Sequence, residues 1–251
     1  MSFLDKVDCT QLREVITRVM IPRHVFYNSD VGEGAGFDAE IIPMVEAVNI
    51  CCGAHAGNLE EMQRAVELAQ EHGVCIGAHP GFADREHFGR REQQLSDTQL
   101  HQLLFDQLDT LDSIAGGISY IKPHGALYNM MSRDAGYAVL VLDILREWRE
   151  IPVMLLAGSV ATKQDHPSMI IAEGFMDRRY TAEGLLVPRT KEHAVIASVA
   201  EASAQAAALR RGDEIISESG TALDIPVDSI CVHGDSAGAV DFLRRCLAEA
   251  E

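Results

Sequence analysis

The chain has 251 residues, 47% of them hydrophobic and 24% charged, which suits one globular core of α/β-barrel size and excludes a disordered chain. Its 38 Asp and Glu against 21 Lys and Arg give a net charge of −17, a surface that repels phosphate backbones and anionic headgroups, so neither nucleic acid nor membrane is expected as a partner. No run approaches the ~20 apolar residues of a membrane span, and the charged N-terminus lacks the apolar core of a secretory signal. Six cysteines without a C-x-x-C pair read as reduced, buried thiols, so a cytoplasmic location is expected.

Residues 1–22 carry Leu12, Val15, Ile16 and Val19 at helical spacing and are expected to form a helix ahead of one domain over 23–251. A strand at 24–28 leads into Asn28, Asp30 and Glu33, and a second at 47–52 into His55. Asn58 caps a helix through Met62, Val66 and Ala69 that Gly73 stops. A strand at 74–78 ends in His79-Pro80, with Arg90-Arg91 in the loop beyond. Ser96 and Gln99 form a capping box before Leu100, Leu104, Leu108 and Leu111, and Gly116-Gly117 ends that helix. Strands at 118–122, 152–157 and 169–172 lead into Lys122-Pro123-His124, Gly158-Ser159 and Asp177-Arg178. An Ala-rich helix at 192–211, a hairpin within 214–226, a strand at 229–233 ending in His233, Gly234 and Asp235, and a helix at 237–249 complete the chain. β-Branched runs alternating with amphipathic stretches predict an α/β fold, an irregular (β/α)7-like barrel, with an open doubly wound sheet as the alternative.

Chemically able side chains follow nearly every predicted strand. In parallel α/β folds the carboxyl ends of the strands meet on one face, where ligands bind, so residues distant in sequence are predicted to share one cleft. Four of them are histidines, His55, His79, His124 and His233, and imidazole is both the commonest metal ligand and the side chain most easily poised near neutral pH. Asp30 with His55 is a candidate divalent-metal pair, although no H-x-x-x-H or H-E-x-x-H spacing is present. Lys122 is a carboxylate partner or general acid, Arg90-Arg91 a candidate anion clamp or a partner of the acidic surface, and a Cys52–His55 nucleophilic pair stands against simple burial of the thiol.

Seven blocks occur in order: NSDVGEG (28–34), NICCGAHAGN (49–58), GAHPGF with FGRR (77–82, 88–91), IKPHGALYN (121–129), AGS (157–159), DRRYTAEGLL (177–186) and CVHGD (231–235). Together they resemble the successive motifs of the LamB/YcsF family. The resemblance implies a barrel related to those of polysaccharide deacetylases. It also implies the activity of the A subunit of ATP-dependent 5-oxoprolinase, which opens a small lactam, 5-oxoproline, to glutamate together with the B and C subunits. Ser29 and Val31 replace the family's usual Cys and Leu, Ala54 its Phe, and Asn58-Leu59 its Asp-Pro.

On that resemblance Asp30, His55, Lys122, His124, His233 and Asp235 are the expected catalytic residues, and Asn28, Glu33, His79, Arg91 and Arg178 the expected substrate contacts. No G-x-x-x-x-G-K-[ST] phosphate loop is present, so ATP is expected to act through the complex. Two alternatives remain open: a stand-alone metal-dependent amidase or deacetylase, and a substrate-binding component without chemistry of its own.

Overall fold

A computed structural model describes residues 25–232 and 239–250. The helix expected at 1–22 and the site residues His233 and Asp235 lie outside the described residues. The strands are β1 (Phe26–Val31), β2 (Ala47–Cys51), β3 (Cys75–His79), β4 (Tyr120–Ile121), β5 (Val153–Leu156), β6 (Ile170–Phe175), β7 (Ile215–Ile216), β8 (Ala222–Leu223) and β9 (Ser229–Cys231). Six of them, β1 to β6, follow one another around a closed barrel, and β9 completes the ring between β6 and β1. Every barrel pairing is parallel, which settles the choice against an open sheet. Strands β7 and β8 make the expected antiparallel hairpin.

The helices are α1 (Asp38–Ile41), α2 (Leu59–His72), α3 (Asp97–Ala115), α4 (Gly125–Arg133), α5 (Ala135–Trp148), α6 (Val199–Arg211) and α7 (Ala239–Ala250). Local chemistry fixes their ends. Asn58 Oδ1 accepts from the Glu61 amide at 3.0 Å, and Gly73 takes the left-handed conformation that closes α2. The Ser96–Gln99 capping box opens α3 as its sequence predicts. The Ala-rich helix expected from 192 begins only at Val199, because Ser198 caps it and the preceding segment is extended. There the Ile196 amide donates to Asp177 O at 2.8 Å and Val195 bridges Arg178. Among the described residues no helix is long and apolar enough to cross a membrane.

Side chains alternate in and out along each strand, so every second residue fills the barrel. The lowest layer is apolar: Phe26, Ala47, Cys75, Tyr120, Met154 and Ile171. Two residues further on, Asn49 donates to Asn28 Oδ1 at 2.7 Å, and Asn28 Nδ2 donates to Ser229 Oγ at 2.7 Å. Tyr120 bridges the layers, its hydroxyl 2.8 Å from Asn49 Oδ1. The next inward positions, Asp30 on β1 and His79 on β3, form the floor of the barrel mouth, with Glu173 of β6 fully buried against Lys122.

Gly77 makes room for the Tyr120 ring, since a Cβ there would stand 2.4 Å from it. Gly77→Ala should therefore overpack the barrel and cost about 1–3 kcal/mol, read as a lower urea midpoint with an unchanged slope.

Candidate active site

The mouth is organised around one buried ammonium. Lys122, directly after β4, places Nζ 2.7 Å from Asp30 Oδ1 and 2.8 Å from Glu173 Oε1, with Cys231 Sγ at 3.3 Å. Burial alone would lower the lysine pKa, but the charges of Asp30 and Glu173 outweigh it and hold the pKa well above its usual value. Each carboxylate has a second support: Asn49 Nδ2 donates to Asp30 Oδ1 at 2.7 Å, and the Tyr128 hydroxyl donates to Glu173 Oε2 at 2.7 Å. Lys122 is thereby committed to two carboxylates and holds their geometry.

Three histidines gather beside this triad. His79 Nε2 stands 3.4 Å from Asp30 Oδ2 and 2.8 Å from His124 Nδ1. The rings of His55 and His124 stack in parallel, their centroids 3.7 Å apart. Glu33 Oε1 lies 3.5 Å from His55 Nε2 and 3.7 Å from His124 Nδ1. One donor atom from each of Glu33, His55, His79 and His124 falls within a 4.8 Å group, a buried set of the kind that can hold a metal ion. Burial, then the neighbouring imidazoles, pushes His124 well below its ordinary pKa; burial likewise lowers His55 against the pull of Glu33. Gly89 allows the loop to approach this stack, for a Cβ there would meet His55 Cβ at 2.7 Å.

A cleft of about 530 Å³ opens over the floor, walled in part by Arg90, Phe175, Arg178, Leu186 and Arg189. Asp30, Glu33, His79, Lys122 and His124, drawn from separate segments, all line it. His55 reaches the cluster from behind, only 1% exposed. Asn28 lies one layer lower, fully buried in the amide network. Arg91 points away, its guanidinium 3.3 Å from His87 Nδ1 at the surface, while its neighbour Arg90 lines the cleft. Arg178 is at the wall, but its Nη2 donates to Val187 O at 2.6 Å and its Nε to Ala194 O at 3.4 Å, fastening the 187–194 loop. Burial, with Arg189 nearby, brings its pKa down to about 10.

The thiols do not form a nucleophilic pair. Cys52 is buried and its pKa is raised, by burial first. Cys51, 3.2 Å from His55 Nε2, is pushed up to about 12 by burial and donates to Ala56 O. Sequence reasoning missed Glu173 and Tyr128. The signal for Glu173 was a lone acid inside the apolar run of β6, at an inward register position. Tyr128 lay unremarked inside the IKPHGALYN block.

Comparison with known proteins places these observations. The chain matches the model of the LamB/YcsF family over residues 25–251. It is similar to the 5-oxoprolinase A subunit of Histophilus somni, 38% identical over 234 residues, 90% of this chain and 95% of that protein. The protein of the same name from Neisseria meningitidis is 36% identical over 90% of this chain and 96% of its own length. The crystal structure of a lactam utilization protein from Thermus thermophilus superposes with a TM-score of 0.81 at 31% identity, covering 90% of this chain and 96% of that one. A family 4 carbohydrate esterase from Streptomyces lividans shares the fold, with a TM-score of 0.51 at 9% identity over 92% of this chain and 88% of its own.

Lys122→Met should leave two buried carboxylates uncompensated and lower stability by roughly 3–5 kcal/mol. Tyr128→Phe, which removes one hydrogen bond to a charged acceptor, should cost about 1.5–3 kcal/mol. Urea titration of both variants checks the ranking.

Proposed function

The chain belongs to the LamB/YcsF family, and on that premise we propose that it opens the lactam of 5-oxoproline to L-glutamate as the A component of an ATP-coupled 5-oxoprolinase, with the B and C subunits as partners. The supporting observation is the convergence of Asp30, His79, Lys122 and His124 on one cleft, in a chain similar over 90% of its length to proteins of that name. Among the described residues five free, buried cysteines accord with the reducing cytoplasm as its compartment.

Opening the ring adds a water oxygen to the amide carbon, breaks the C–N bond and delivers a proton to nitrogen. An unactivated lactam is a poor electrophile. Phosphorylation of its amide oxygen by ATP activates the carbon: one water adds, the C–N bond breaks to leave an acyl phosphate, and a second water releases phosphate and the carboxylate. The chain lacks a phosphate loop, so the ATP step is assigned to the complex. Asp30 is the base for water: Lys122 and Asn49 hold its Oδ1, and its Oδ2 stands beside His79 at the cleft. His124 and His79 line the cleft beside Asp30 and position the lactam ring against it. Lys122, charged but shared between two carboxylates, sets the position of Asp30 in place of clamping substrate directly. The substrate carboxylate falls to the cleft-lining Arg90 in preference to Arg91, and proton delivery to nitrogen to His233 with Asp235, which follow β9 in sequence.

A second reading, a metal-dependent amidase acting alone, is favoured by the donor group of Glu33 with three histidines. Partner dependence separates the two. Reconstituted with the B and C subunits, the chain should convert 5-oxoproline only with ATP. His124→Ala should lower turnover at least ~100-fold with the melting profile retained, and Asp30→Asn should lower it as far while also lowering the melting temperature, because Lys122 loses one of its two carboxylates. Cys51→Ala should stay within a few-fold of the parent. Wild-type rates in both site variants overturn the assignment; turnover by the isolated chain without ATP supports the second reading, and binding of 5-oxoproline with no effect of either variant points to a carrier role.

A further inference from the structure

We infer that Glu33, His55, His79 and His124 form a binding site for one divalent transition-metal ion of the zinc or cobalt class. The ring hydrogens have fixed places. His79 Nδ1 lies 2.7 Å from the Lys122 carbonyl oxygen, which only accepts, so that nitrogen carries hydrogen. His124 Nε2 lies 2.8 Å from the Phe88 carbonyl oxygen and carries hydrogen for the same reason. A neutral imidazole has one N–H. The two remaining nitrogens, His79 Nε2 and His124 Nδ1, therefore both present lone pairs, and they face each other at 2.8 Å. Two lone pairs at that separation repel unless a positive charge lies between or beside them.

A shared proton would answer for that one contact but not for its surroundings. Glu33 Oε1 is buried, takes part in no hydrogen bond among the described residues, and stands 3.7 Å from His124 Nδ1 and 3.5 Å from His55 Nε2. Four ligand-capable atoms thus converge where two would suffice for a proton.

Donor chemistry selects the class of metal. Three imidazoles and one carboxylate suit zinc and its neighbours, whereas magnesium and calcium take oxygen ligands. Backbone carbonyls fix the outer nitrogens of His79 and His124, the arrangement that orients metal-binding histidines elsewhere. Tetrahedral zinc at about 2.0–2.1 Å from each donor spaces the donors by about 3.3–3.4 Å. The separations at Glu33 are close to that; the His79–His124 pair has to open by about half an ångström from its 2.8 Å, and the His55 ring has to turn out of its parallel stack on His124 to aim its lone pair at the same point. His55, expected as a ligand from the sequence, keeps that role; Asp30 stays with Lys122. The site does not depend on the lactam reading and is tested without turnover.

The full chain, stripped with a chelator, should take up one equivalent of Zn2+ or Co2+, the cobalt form showing visible d–d absorption of a low-coordinate nitrogen-ligated site. Zinc should raise its melting temperature. His124→Ala and Glu33→Gln should each weaken binding at least ~10-fold, and His101→Ala, at the surface against Phe105, should leave it unchanged. Anomalous scattering at the zinc edge, from crystals of the wild-type chain, should place the ion among the four residues, a readout that stands even where a variant fails to fold. Absence of stoichiometric uptake of both metals, undiminished affinity in folded His124→Ala, or an anomalous peak elsewhere overturns the assignment.

Discussion

The ammonium of Lys122 holds two carboxylates together inside a closed barrel, and the geometry of the mouth depends on it. Asp30 on β1 and Glu173 on β6, with only β9 between their strands, would repel if left alone; Lys122, arriving after β4, binds both within 2.8 Å. The contacts tie three strands across the interior, where few waters compete and electrostatic interactions are strong. Burying a lysine is costly, and the cost is offset only because both charges and the supporting hydrogen bonds from Asn49 and Tyr128 are in place. A carboxylate held in that way keeps one position, the condition for acting as a base at a fixed distance.

Below the triad the barrel grades from polar to apolar. The Asn28–Asn49–Ser229 layer is satisfied internally, and the Phe26 and Tyr120 layer beneath it is buried and apolar. Such a stack gives the mouth a rigid floor, while the walls come from loops after the strands, where Arg90 and Arg189 bring positive charge to the rim of an acidic protein. The histidine cluster occupies the side of the floor nearest β1 to β3, held by backbone carbonyls and by the close approach of the loop at Gly89. Two kinds of chemistry thus adjoin: a fixed carboxylate in contact with an ammonium, and a group of imidazole and carboxylate donors turned toward one another.

Strand-end chemistry was legible because it follows from chain direction. Parallel strands bring their carboxyl ends together, so Asp30, His79, Lys122 and His124 were identifiable as neighbours from the runs they terminate. Register was less legible. Asn28 and Asp30 differ by one inward step, and that step separates a buried amide network from the cleft. Glu173 escaped because an acid within a strand is normally a solvent-facing residue, and its partner lies far away in sequence. Adjacent arginines in a loop carry no signal to rank them, which is why Arg91 was chosen where Arg90 lines the cleft. The Ala-rich stretch before α6 shows propensity yielding to tertiary pairing, with Ile196 drawn into contact with the end of β6.

The central claim is that side chains from separate strands act together on a single amide bond in this cleft. A crystal structure of the chain soaked with 5-oxoproline tests it most directly. The ring should lie over the floor with its amide carbon within about 4 Å of Asp30 Oδ2, close enough for one water to bridge or attack, and its carboxylate toward Arg90. A ring bound outside the cleft, or one whose carboxylate rather than amide meets Asp30, would contradict it.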